Sequence, residues 1–223
     1  MWIKICGLHD VATAQEVVKL SPDAIGLNFF AGTPRAVSVD VAAQIVAQLP
    51  EKTEPVGLFV NHSLDEIDAT TRQCRLPTVQ LHGDEPVRLL ADLNSRSIVK
   101  IIRAWRLGAE GLDSLADYFD GCCKLGVNVA ACLIDARVDG MYGGSGKTVC
   151  WELLNEQYRH NQWPPMILAG GLHPGNVAEA IERVRPWGVD VASGVESAPG
   201  TKDLKLVEQF IREARRAFEA VDG

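Results

Sequence analysis

Two residues in this chain have the chemistry to move protons on a substrate. Cys6 closes the short apolar run that starts at Ile3, and Asp135 follows five apolar residues, Ala130 to Ile134. A cysteine acts as base or nucleophile only as the thiolate, so that reading requires a lowered pKa. An aspartate acts as general acid only if a partly apolar setting keeps it protonated. Each has a plainer alternative. A lone cysteine is often a small buried hydrophobe, and Asp135 could cap or salt-bridge the loop that follows it. A carboxylate directly after an apolar run still needs a partner or a purpose.

Other residues suit the two ends of an anionic substrate. Arg35, after Pro34 on a loop, offers a planar fork that can hold a carboxylate through two hydrogen bonds. A solvated surface arginine is the alternative. His82 stands in His82-Gly83-Asp84 and reads equally as a substrate contact or a satisfied histidine. Two apolar runs near the C-terminus stop on glycine, at Gly170-Gly171 and at Ser193-Gly194. Glycine lacks a Cβ, so an anion can approach its backbone closely. These four residues are read as a phosphate cradle. Gly143 to Thr148 superficially resembles a phosphate loop but lacks the required first glycine, and is read as a mobile cover. Asn61-His62-Ser63 matches the glycosylation pattern only by chance in a cytoplasmic chain.

These residues sit at the ends of strand-like runs. Short β-branched apolar segments alternate with segments of helical apolar spacing eight times. The strands are expected at Ile3 to Cys6, Ala24 to Phe29, Pro55 to Val60, Thr78 to Leu81, Ile98 to Trp105 and Ala131 to Asp135, and in the two glycine-terminated runs. The intervening helices are expected to begin at Val11, Val39, Leu64, Glu85, Ala109, Val149 and Asn176, with a last helix from Leu204 to Ala220. Ser38 and Ser63 are expected N-caps. Strands separated by helices pair in parallel through right-handed crossovers. Eight even units favour an α/β fold, a single-domain (β/α)8 TIM barrel over residues 1–223. An open doubly wound sheet is the runner-up, but Cys6-Gly7-Leu8-His9 is not its usual first glycine turn. In a barrel the strand tips form the active site. The tips carry Cys6, Asn28, Asn61, His82, Arg103, Asp135 and the glycines, more polarity than packing needs.

Bulk properties exclude other classes. The chain has 223 residues, 47% hydrophobic, with net charge −7 and no basic block, so no nucleic-acid partner is expected. No apolar run approaches the roughly 20 residues that span a bilayer. No signal-peptide layout stands at the start, and a cytoplasmic location is the expectation. The six cysteines lack metal-type spacing and should be free thiols.

Taken together, these segments resemble the phosphoribosylanthranilate isomerase family of tryptophan biosynthesis. The resemblance is carried by Lys4-Ile5-Cys6-Gly7-Leu8, Gly26-Leu27-Asn28-Phe29 with Pro34-Arg35, and Val56 to Asn61. Val79 to Glu85, Gly143 to Thr148 with Trp151, Leu168 to Leu172, and Gly188 to Glu196 complete it. They run through nearly the whole chain in the family's order. The resemblance implies a (β/α)8 barrel that performs an Amadori rearrangement without cofactor or metal. It makes Cys6 the general base, Asp135 the general acid and Arg35 the holder of the anthranilate carboxylate, with the glycine turns on the phosphate. It further implies a small phosphosugar substrate, no membrane partner, and a monomer or homodimer.

The sequence departs from the family pattern at Thr33, commonly serine, at His9, commonly threonine, at Ala192, commonly serine, and at Val149-Cys150. Two other readings compete. The related isomerase of histidine biosynthesis would be expected to use two aspartates, against Cys6. A phosphosugar-binding barrel without activity should lack the acid or the base, and both candidates stand here.

Overall fold

The computed structural model describes residues 1–108, 111–136 and 150–222. Eight strands form a closed parallel barrel in chain order: β1 (Ile3–Cys6), β2 (Ala24–Asn28), β3 (Glu54–Phe59), β4 (Thr78–Leu81), β5 (Lys100–Leu107), β6 (Ala131–Ala136), β7 (Met166–Leu168) and β8 (Gly188–Val191). β8 closes on β1 with Lys4 opposite Asp190. The helices are α1 (Val11–Lys19), α2 (Val39–Val46), α3 (Leu64–Cys74), α4 (Val87–Arg96), α5 (Asp113–Lys124), α6 (Trp151–Gln157), α7 (Val177–Val184) and α8 (Leu204–Asp222). The doubly wound alternative is thereby ruled out.

Local chemistry starts and stops these elements. Ser38 and Ser63 cap α2 and α3 as expected, Ser63 within a reciprocal capping box with Glu66. Asp10 caps α1 by accepting from Thr13 N–H, and the helix begins at Val11 as expected. His9 instead places Nε2 2.9 Å from Gly200 O, joining the loops that follow the neighbouring strands β1 and β8. α5 begins at Asp113, later than expected, and β5 begins at Lys100 rather than Ile98, whose side chain is exposed. The expected helix start at Val149 and the glycine loop Gly143 to Thr148 lie outside the described residues.

Strand alternation sorts side chains onto two faces. One set, including Ile3, Ile5, Ile25, Leu27, Val79, Leu81, Cys132 and Ile134, packs with the helices in the main core. The other set fills the barrel with Ala24, Val56, Ile102, Ala104, Leu133, Ile167 and Ala169. Lys4, Cys6, Asn28, Gln80, Asp135 and Asp190 share the parity of this inner set, and all are buried. A short antiparallel hairpin, β9 (Glu196–Ala198) and β10 (Thr201–Lys202), follows the 3-10 turn Ser193–Val195 and was not expected from sequence.

Candidate active site

Cys6 lies opposite Gly26 in the β1–β2 ladder. A Cβ on Gly26 would fall 2.5 Å from Cys6 Sγ, so the glycine makes room for the sulfur. Two buried ammonium groups attend it. Lys4, fully buried, donates through Nζ to Asp190 Oδ1 at 2.6 Å. Lys202 donates to Ala192 O at 2.9 Å and to Glu196 Oε1 at 2.7 Å. Burial pushes the Cys6 thiol up, the Lys4 charge pulls it down, Asp190 pushes it up and Lys202 pulls it down. The balance leaves it raised. The sequence-based requirement for a lowered thiol pKa is therefore corrected: the positive neighbours are present, but desolvation outweighs them. Lys4 shows the opposite balance. Burial alone would lower it, yet Asp190 and Cys6 hold its pKa above the usual lysine value.

Asp135 ends the inner face of β6 and is buried. His82 Nε2 lies 3.4 Å from Asp135 Oδ2. His82 Nδ1 is 2.9 Å from Gln80 Nε2. Arg35 reaches the same place from the loop after β2. Its Nε donates to Glu196 Oε1 at 2.8 Å and its Nη2 to Glu196 Oε2 at 2.7 Å.

Cys6, Asn28, Arg35, Gln80, His82, Asp135, Asp190 and Ala192 line one pocket of about 40 Å³. A second of about 30 Å³ is lined by Asp135, Gly170, Gly171, Asp190, Ala192 and Ser193. The two share Asp135, Asp190 and Ala192 and so lie side by side. Gly170 and Gly171 take positive φ of 79° and 66°, which glycine alone adopts freely. Gly194 is pressed against Leu172 O, where a Cβ would collide. The larger hollow of about 480 Å³ between Phe119 and Pro165 opens at the other end of β6 and has no carboxylate in its lining.

Of the candidate site residues, Cys6, Arg35, His82, Asp135, Gly170, Gly171 and Ser193 line these two pockets, whereas Gly194 is packed against Leu172 beside them. Two other strand-tip polar residues serve structure instead. Arg103 points outward, where its guanidinium binds Leu81 O, Gly83 O and Glu85 and faces the rings of Trp105 and Tyr118. Asn61 accepts Asp84 N–H at 2.7 Å and donates its own N–H to Glu85. Lys4, Gln80, Asp190 and Glu196 stand in the segments that carry the resemblance but were given no role from sequence, and Lys202 was not singled out. The signal for three of them was available: Lys4, Gln80 and Asp190 are polar residues at inward positions of short apolar strands.

The comparisons with known proteins bear on this geometry. Residues 3–213 match the family described as N-(5′-phosphoribosyl)anthranilate (PRA) isomerase. The chain belongs to this family. A phosphoribosylanthranilate isomerase from Trichlorobacter lovleyi is 41% identical over 216 residues, covering 97% of this chain and 98% of the relative. The crystal structure of the Thermotoga maritima enzyme superposes with a TM-score of 0.83 at 33% identity, covering 97% and 99% of the two chains. A further family structure, at TM-score 0.79 and 31% identity over 97% and 99%, holds reduced 1-(o-carboxyphenylamino)-1-deoxyribulose 5-phosphate. Family membership makes the chain an isomerase of tryptophan biosynthesis. Among the described residues no helix is long and apolar enough to cross a membrane.

Proposed function

We propose that the chain converts N-(5-phosphoribosyl)anthranilate to 1-(2-carboxyphenylamino)-1-deoxyribulose 5-phosphate, with Cys6 as general base and Asp135 as general acid. The adjoining pair of pockets carries this reading. Glycine turns stand at one end, Arg35 at the other, and both proton-handling groups line the space between. A substrate with a phosphate at one end and a carboxylate at the other suits that layout.

The steps follow from the groups. Asp135 gives its proton to the furanose ring oxygen, the C1′–O bond breaks, and the anilino nitrogen's lone pair forms the imine. The Cys6 thiolate removes the C2′ proton, and the electron pair moves to make the enolamine. Tautomerisation delivers a proton to C1′ and leaves the ketone at C2′. Carbon 1′ is reduced as carbon 2′ is oxidised, so the step balances without an outside redox partner. Lys4 and Lys202 supply the positive charge that favours the thiolate. His82 lies against the Asp135 carboxyl and contacts the substrate beside it. The phosphate sits on the backbone of Gly170, Gly171, Ser193 and Gly194. Ala192, where the family commonly has serine, offers no hydroxyl there, so backbone donors carry the contact.

A crystal of the complex with a reduced product analogue tests the layout. The account expects the phosphate within hydrogen-bond reach of Gly171 and Ser193 N–H and the carboxylate at Arg35. A phosphate elsewhere in the mouth, or a reversed ligand, refutes it.

A further inference from the structure

The Arg35 guanidinium is held before any substrate reaches it. Its two bonds to Glu196 use the Nε and Nη2 edge. A guanidinium has five N–H donors, so its terminal edge, Nη1 with the outer Nη2 hydrogen, is a second fork. Glu196 has no such reserve. Its oxygens also take Lys202 Nζ at 2.7 Å and Gly200 N–H at 3.2 Å, which brings the donors to four. Four is about the lone-pair capacity of a carboxylate. A carboxylate so fully engaged is not left to bind substrate; it acts through the two side chains it holds, Arg35 and Lys202.

The surroundings fix the same side chain. A Cβ on Gly7, at φ +82°, would fall 2.7 Å from Arg35 Cδ, so Gly7 admits the arginine stem. A Cβ on Gly200, at φ +85°, would fall 2.7 Å from Pro34 O. The β9–β10 hairpin is therefore docked on the loop that carries Arg35. Glu196 opens that hairpin and Lys202 closes it. Charge matters as well. Arg35 with Glu196 alone would be a neutral pair with little attraction for an anion. Lys202 makes the trio net positive in a setting where charges are weakly screened.

We propose that Glu196, held by Lys202, is the positioning residue for carboxylate recognition: it grips the side edge of the Arg35 guanidinium so that the terminal edge meets the substrate. The proposal rests on Arg35 being the carboxylate site and says what makes it one.

The test is a double-mutant cycle of Glu196→Gln and Arg35→Ala, read as kcat and KM. Two substrates are used: N-(5-phosphoribosyl)anthranilate and the aniline analogue that lacks the carboxylate. Glu196→Gln keeps the size but not the charge. It should raise KM for the anthranilate about tenfold and change KM for the analogue less than threefold, while any change in kcat, transmitted through Lys202 beside Cys6, should be the same for both substrates. In the Arg35→Ala background it should add nothing to KM. Glu196→Asp retains the charge but withdraws the grip, so it should give the same KM-selective effect in a protein of near-normal stability. Equal rises in KM on both substrates, or additive effects on KM in the double variant, overturn the proposal. If Arg35→Ala alone weakens both substrates equally, the assignment of Arg35 to the carboxylate falls, and the positioning role falls with it.

Discussion

At Cys6, burial and charge pull in opposite directions, and burial wins. The sign of the outcome follows. A base must be deprotonated, so with its thiol raised the free enzyme holds little thiolate at neutrality. The catalytic efficiency should keep climbing above pH 8 instead of levelling near neutrality. The thiolate absorbance near 240 nm, taken as wild type minus Cys6→Ala, should titrate above the usual thiol range of about 8.5. A difference titration complete by pH 7 would contradict the balance drawn here. Cys6, Asp135 and Arg35 were legible in the sequence because each is a chemically capable residue ending or following a short apolar strand. Glu196 and Lys202 were not. They belong to a hairpin of three- and two-residue strands, too short for any period to show.

Lys4 and Asp190 act at the level of the strands, since they face each other where β8 closes on β1. Removing one member of a buried ion pair leaves an uncompensated charge, which costs about 3–5 kcal/mol. Lys4→Met should therefore destabilise by about that amount in denaturant unfolding. It should also raise the Cys6 pKa further, because the attraction is lost while Asp190 remains. Lys4→Met with Asp190→Leu should recover part of the stability, because a well-packed apolar pair can match a buried ionic one. A double variant no more stable than Lys4→Met would contradict this account. Strand parity explains what could be read at this scale. Alternation predicts an inward Lys4 and Asp190, and the same rule turns Arg103 outward toward α5. Positions of helix starts were less legible where no side-chain cap stands, as at α5.

For the whole molecule, the eightfold alternation made the barrel legible, whereas the ties between its loops come from contacts distant in sequence. Arg35 and Glu196, 161 residues apart, join the β2 loop to the β8 hairpin. Burial would raise the Glu196 carboxyl, but hydrogen bonds from Arg35 and Lys202 hold it below its ordinary value of 4.5. A depressed folded pKa contributes stability that is present above about pH 4.5 and is lost as pH falls through the lower folded value. Glu196→Gln should therefore flatten part of the acid-side loss of stability, measured as the urea midpoint between pH 6 and 3. An unchanged acid slope would detach Glu196 from the fold's acid sensitivity. The central claim is that Cys6 and Asp135 perform the proton transfers, and turnover of phosphoribosylanthranilate, followed by its fluorescence, tests it most directly. Cys6→Ala and Asp135→Ala should each lower kcat by at least about a hundredfold, with far-UV circular dichroism unchanged because both side chains sit at strand tips and neither belongs to the cluster that fills the barrel. A folded Cys6→Ala protein that turns over at near the wild-type rate would contradict the account.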